Sequence, residues 1–292
     1  MQRSLFMKQS RFSIRLLALL FSGAIALTTA ACSQNTVEPA PGESSSSVSQ
    51  PAGIPAFINP LGDVDLSRLS TAEKPSEDTL NKMNAAYGQN NDVVGWLYLP
   101  GTTIDEAVLQ GTDNDYYLRK NITKAYDFNG CYYADYECSF GDRNGISQNT
   151  IIYGHSMDDN PDGDRFSQLK KYLDPEFLKA HPYLYFSTPE DTMAFKVFSV
   201  MYTDDNLAYL HPEMKNAQFL ALVKEMRERS QFDIDVDVNI TDKILSLSTC
   251  TYIYGSREDQ RFVVTGRLVR PGEEMDTPIH VEPNPDPKPP QF

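Results

Sequence analysis

Three residues stand where their chemistry could be combined: Cys250, His155 and Arg261. Cys250 closes the run "ILSLSTC", and Arg261 opens "RFVVTGRL". Side chains alternate between faces in extended backbone, so Leu245, Leu247 and Thr249 share one face while Ser246, Ser248 and Cys250 share the other. On the returning run, Phe262, Val264 and Leu268 oppose Arg261, Val263, Thr265 and Arg267. With the Leu and Phe faces in a core, Cys250 and Arg261 project from it at facing ends of two strands. The connection between them carries Gly255 and Arg257. The thiolate, not the thiol, is the nucleophile, so Cys250 needs a basic or cationic neighbour. Of the four histidines, His181 and His211 each precede a proline and read as turn or loop-entry residues. His280 lies in the tail. His155 ends "TIIYGH" directly after Gly154, at a rim position like that of Cys250. A lone histidine is more often a surface or capping residue, yet elimination favours a pairing with Cys250. The Arg261 guanidinium could hold a substrate and stabilise charge developing on a carbonyl oxygen. The alternatives are an ordinary cross-strand charge, or Arg257 in that role.

The elements that must position these residues can be read around them. Ser76 caps a helix in which Leu80, Met83 and Tyr87 share a face. Short strand-like runs follow: "VVGWLYLP", "TIDEAVLQ", "GCYYADY", "TIIYGH", "YLYFST" and "MAFKVFSVMYT". Phe166, Leu169 and Leu173 fit one helical stretch, and Asp174-Pro175 supplies the cap and first-turn proline of another. A third helix spans about 215–229, with Phe219, Leu222, Val223 and Met226 on one side. "DIDVDVNITDKILSLSTC" then returns to alternation. Many short strands with few helices predict a mainly β fold, a closed or nearly closed antiparallel barrel with helical insertions.

The 292-residue chain opens with Arg3, Lys8, Arg11 and Arg15 before an uncharged run, the layout of a secretory signal. That run ends "LTTAAC" and resembles a lipoprotein leader with Cys32 as the lipidated residue, although Thr29 is a poor fit where such signals carry Leu. An uncleaved anchor or ordinary cleavage are the alternatives. Each places the rest outside the cytoplasmic membrane. Residues 1–31 read as leader, 32–75 as a Ser/Pro-rich tether, 76–270 as the folded domain and 271–292 as a disordered acidic, proline-rich tail. The net charge of −14 repels nucleic acid and anionic headgroups, so neither is an expected partner. Export would permit a disulfide between Cys131 and Cys138, though spacing cannot establish its geometry. Either way Cys250 is left as a candidate free thiol. "DDNPDG" from Asp158 and "DIDVDV" from Asp233 begin like calcium loops but lack the closing Glu, so both read as solvated faces and no metal is expected. No zinc spacing, phosphate loop or Gly-x-Ser-x-Gly elbow is present.

In their order along the chain, "VVGWLYLPGTTID", "QGTDNDYYL", "NTIIYGHSM", "LSLSTC" and "RFVVTGRL" resemble a sortase of class B, from about Asp92 to Val269. The resemblance implies an eight-stranded barrel with N-terminal helices, and a helix-containing insertion before the cysteine strand. It implies Cys250 as nucleophile, His155 as general acid/base and Arg261 as the residue that positions substrate and stabilises the oxyanion. Asn114, Leu118 and Ser248 match positions lining the family's peptide groove. The implied activity is transpeptidation without a cofactor: a sorting-signal peptide of a secreted protein is cleaved through a thioester, and the acyl group passes to an amine of a peptidoglycan cross-bridge or a pilin. The Cys250–Arg261 connection is longer than in some members, which keeps Arg257 in contention. A cell-wall cysteine hydrolase and a non-catalytic, lipid-anchored binding protein are the competing readings.

Overall fold

A computed structural model describes residues 72–292. The leader, Cys32 and the tether up to residue 71 lie outside the described residues. Along the chain come α1 (Glu77–Gln89), β1 (Val93–Tyr98), β2 (Asp105–Gln110), β3 (Tyr132–Ala134) and β4 (Asn149–Tyr153). A 3₁₀ segment (Arg165–Leu173), α2 (Pro175–Ala180), β5 (Tyr183–Ser187), β6 (Thr192–Asp204) and a 3₁₀ turn (Ala208–Leu210) follow. The chain continues through α3 (Asn216–Arg229), β7 (Phe232–Ile234), β8 (Ile244–Cys250), β9 (Gln260–Leu268) and β10 (Val281–Pro283).

Eight strands close into the expected barrel, in the order β1-β2-β3-β4-β8-β9-β6-β5. It is not antiparallel throughout, because β2–β3 and β4–β8 pair in parallel. Parallel neighbours need a crossover longer than a hairpin, and the two crossovers here carry what surrounds the site. One is the loop between β2 and β3. The other is the long excursion between β4 and β8 that holds the helical insertions. The β8–β9 pair is antiparallel and sets Cys250 opposite Arg261. Leu245, Leu247, Phe262 and Val264 enter the core with Leu97, Phe186 and Phe195. The opposite face of β8 is also covered. Ser246 donates to Asn149 Oδ1 at 2.9 Å, and Asn149 Nδ2 donates to the carbonyl of Tyr209 at 2.6 Å, so the 3₁₀ turn closes over the serines.

The helices follow their local signals. Ser76 Oγ accepts from Thr79 N–H at 3.2 Å, and Glu77 and Asp78 fill the first turn of α1, where the helix dipole favours acidic side chains. Its buried face is Met83 and Ala86, while Tyr87 is 57% exposed, so Tyr87 does not share the inward stripe that its spacing predicts. Asp174 Oδ1 caps α2 through Glu176 N–H at 2.9 Å. In α3, Phe219, Leu222, Val223 and Met226 are buried as predicted, and Ser199 of β6 donates to the carbonyl of Met226 at 2.8 Å.

One expectation about the chain ends is corrected. The tail expected to be disordered is folded: β10 pairs with β7, setting Val281 opposite Ile234 and Pro283 opposite Phe232, in a small sheet outside the barrel. Ile279 and Val281, apolar residues in a polar stretch, are buried there, and β7 supplies the edge they need. At the other end, Glu73 accepts from Thr192 N–H at 2.7 Å through its carbonyl. The folded unit therefore reaches past both ends of 76–270. Of the two arrangements left open for Cys131 and Cys138, a disulfide or two separate side chains, the fold has buried free thiols, with Cys138 Sγ directed at the carbonyl of Asn149.

Candidate active site

Cys250 ends β8, half-buried at the barrel rim. The end of β4 is fastened beside it, because Gly154 N–H donates to the carbonyl of Ser248 and Thr249 Oγ1 donates to the carbonyl of Gly154 at 2.7 Å. A Cβ at Gly154 would stand 2.7 Å from Phe166 and 2.8 Å from Tyr132, so only glycine lets the chain turn into His155 here. The His155 ring is anchored from the opposite side. Its Nε2–H donates to the carbonyl of Leu118 at 2.6 Å. A carbonyl can only accept, so the proton sits on Nε2, and Nδ1 is the nitrogen that gains and loses a proton. Burial pushes the His155 pKa below the usual histidine value. The Leu118 carbonyl opposes that shift, and the positive charges of Arg119 and Arg165 add to it.

Arg261 Nη1 donates to the carbonyls of Glu258 at 2.5 Å and Gln260 at 3.0 Å, and Nη2 approaches Asp205 Oδ2 at 3.7 Å. These bonds fix the guanidinium at the wall of the site. Arg257 is engaged elsewhere, paired bidentately with Asp259 at 2.6 and 3.0 Å and stacked on the Phe292 ring. Cys250, His155, Arg261, Asn114, Leu118 and Ser248 all line one groove of about 330 Å³. Asn114 gives one amide N–H to Asp135 Oδ2 at 2.7 Å and accepts from Tyr136 N–H at 3.0 Å, which fixes its orientation and leaves a second N–H. Ser248 Oγ is within 2.9 Å of Tyr209 Oη.

Other residues of this neighbourhood escaped the sequence reading. Tyr133, Tyr153, Tyr209 and Asp205 join the groove lining. Tyr153 donates to Asp135 Oδ2 at 2.7 Å, so that buried carboxylate orients Tyr153 and Asn114 together. The "DDNPDG" segment holds itself by turns, with Asp158 Oδ1 accepting from Asn160 N–H and Asn160 Oδ1 from Asp162 N–H. Among the described residues, no three potential metal ligands come together. Within that segment, Asp159 reaches behind the cysteine to a buried lysine, Lys170. Neither carries a spacing signal.

A barrel whose rim gathers a cysteine, a histidine and an arginine into one groove defines a class of cysteine acyl-transfer proteins. The sortase domain model matches residues 97–269. Sortase B of Listeria monocytogenes is 35% identical over 181 residues, which is 62% of this chain and 71% of that protein. Sortase B of Staphylococcus aureus is 29% identical over 198 residues, 68% and 76% respectively. Among solved structures, the S. aureus sortase B–substrate complex aligns with a TM-score of 0.58 at 27% identity, covering 66% of this chain and 86% of that one. The Clostridium perfringens sortase B structure aligns at 0.56 and 30% identity, covering 64% and 98%. The chain belongs to the sortase family, the cysteine transpeptidases, and within it to class B. Members of the family are associated with the cell surface. No helix among the described residues is long and apolar enough to cross a membrane.

Proposed function

We propose that the protein cleaves a sorting-signal peptide of an exported protein through a thioester on Cys250 and transfers the acyl group to an amine. The register that sets Cys250 opposite Arg261, with His155 lining the same groove, is the observation that carries this reading. In the first step His155 Nδ1 takes the thiol proton as Cys250 Sγ attacks the scissile carbonyl carbon. Arg261 stabilises the charge that develops on the carbonyl oxygen. His155 passes that proton from Nδ1 to the departing amine, and the thioester remains. In the second step Nδ1 removes a proton from the incoming amine as it attacks the thioester, and the leaving thiolate takes that proton back from Nδ1. Dividing one amide exchange into two acyl transfers lowers the barrier to each. Asn114, Leu118 and Ser248 would contact the bound peptide. A substrate complex is known for the S. aureus relative, and another sortase B structure is described as complexed with triglycine. Both are in keeping with a peptide donor and an amine acceptor such as a cell-wall cross-bridge or pilin. The leader would hold the domain on the outer face of the membrane, by a lipid on Cys32 or as an uncleaved segment.

The test incubates the protein, with Cys250 intact or changed to Ala, with peptides bearing five-residue sorting motifs, with and without added amine. Mass spectrometry should find a thioester on Cys250 that converts to an amide product only when amine is present. Hydrolysis unaffected by amine would identify a hydrolase instead. The absence of any adduct, with Cys250 alkylating no faster than a free thiol, would leave a binding protein.

A further inference from the structure

Lys170 lies in the 3₁₀ segment after His155 and is almost wholly buried, its side chain 2% exposed. A buried ammonium is costly unless all its donors are met. Here three N–H groups face three acceptors. They are the backbone carbonyl of Cys250 at 3.2 Å, Ser156 Oγ at 3.3 Å and Asp159 Oδ1 at 3.3 Å. The ammonium also lies 4.8 Å from the centre of the Phe262 ring. Asp159 extends the attachment: its Oδ1 accepts from Thr251 Oγ1 and its Oδ2 from Tyr252 N–H, both at 2.8 Å. Tyr252 Oη returns to the carbonyl of Ser156 at 3.0 Å. One ion pair thus grips Cys250, Thr251 and Tyr252 on the chain leaving β8, and Ser156 on the chain leaving His155.

We propose that Lys170, paired with Asp159, is a positioning residue that fixes the nucleophile-bearing and base-bearing chain ends against each other. The inference rests on the transpeptidase reading for its consequence in turnover, and on geometry alone for its effect on the thiol. Lys171, the adjacent lysine, pairs instead with Asp162, whose side chain is 79% exposed, so the role belongs to one lysine of the pair. Removing the tie lets the two ends drift, and displacements near 1 Å cost about a hundredfold where reacting groups must be aligned. Peptide binding depends on groove walls that Lys170 does not line. The loss should therefore fall on kcat.

The test compares the full chain with Lys170→Met, Lys170→Arg and Asp159→Asn. Thermal unfolding, kcat and KM on a peptide that the parent turns over, and the rate of Cys250 alkylation by iodoacetamide are measured for each. Lys170→Met should lower kcat by about tenfold or more with KM within about threefold, and alkylation should slow with it. Lys170→Arg should recover part of both, since it can still donate to the Cys250 carbonyl. Asp159→Asn should show a smaller loss of the same kind. An unchanged kcat and alkylation rate in a folded Lys170→Met overturns the proposal, as does a loss that tracks only the unfolded fraction. If Lys170→Met does not fold, an unaltered Asp159→Asn overturns it. A parent without peptide turnover would count against the transpeptidase reading, while the alkylation rates would still judge Lys170.

Discussion

The imidazole of His155 is subject to opposing influences: burial and the charges of Arg119 and Arg165 disfavour its cation, and the Leu118 carbonyl favours it. Burial is the largest of these, so the ring is neutral at pH 7 and gains its proton only below the ordinary histidine value of about 6.5. The acid limb of the kcat/KM profile should lie below that value, and NMR titration of the His155 ring protons should give the same midpoint. Arg119→Gln removes one repelling charge and should move both upward. A midpoint at or above the ordinary value, or a downward shift in the variant, would contradict this account. At this scale the sequence was informative where a residue type was rare. Four histidines could be reduced to one by their neighbours, and the placement of Cys250 and Arg261 followed from alternation. Lys170 could not be found that way, because two adjacent lysines look alike until the fold buries one.

At the scale of elements, local signals were legible and distant pairings were not. The cap at Ser76, the Asp174-Pro175 start and the apolar stripe of α3 depend on residues within a few positions of one another. The β7–β10 pairing joins strands far apart in sequence, and a three-residue strand in a polar tail leaves little periodic signal. That tail runs on to the active-site connection. Asn284 Nδ2 donates to the carbonyl of Ser230 at 2.8 Å, the carbonyl of Pro289 accepts from buried Arg229 at 2.9 Å, and Gln291 N–H donates to Asp204 Oδ2 at 2.8 Å. Phe292 packs edge-on against Tyr254 in the connection between Cys250 and Arg261. Deleting residues 284–292 removes at least three such bonds, each contributing about 1 kcal/mol, so Tm should fall by roughly 6 °C or more. The freed connection flanks the groove, whereas Cys250 stays on β8. KM for the peptide should therefore rise more than kcat falls. A deletion variant with the parent's Tm and KM would show that the strap does not restrain the connection.

For the whole molecule, acid acts in two opposite senses. With 40 acidic and 26 basic side chains and a pI of about 4.7, protonating carboxylates adds positive repulsion below that pH, and only above it relieves negative self-repulsion, which favours the folded state. Carboxylates that the fold holds ionised act the other way, and Glu273 is the strongest such case. It follows β9 and pairs with Arg267 at 2.5 and 2.7 Å, and Arg267 is 2% exposed. Those bonds, aided by Arg270 N–H and Lys196 and opposed by burial, hold the Glu273 pKa down at about 2, against an ordinary 4.5. The folded value is depressed, so the stabilisation is fully present above the unfolded pKa and is lost as pH falls from 4.5 towards 2. Its full extent is on the order of 3 kcal/mol, and protonation also leaves a buried guanidinium without its counter-charge. In that window the protein lies below its pI of about 4.7, so the diffuse positive repulsion, screened by solvent and salt, adds to the local loss. Urea unfolding followed between about pH 6 and about pH 2.5 should show Glu273→Gln less stable than the parent at the upper end of that range. The two curves should then draw together below pH 4.5 as the parent's Glu273 takes up its proton. Curves that stay parallel across that window would mean that Glu273 is not ionised on account of Arg267, and that the charged junction between β9 and the tail contributes nothing to the acid sensitivity of the fold.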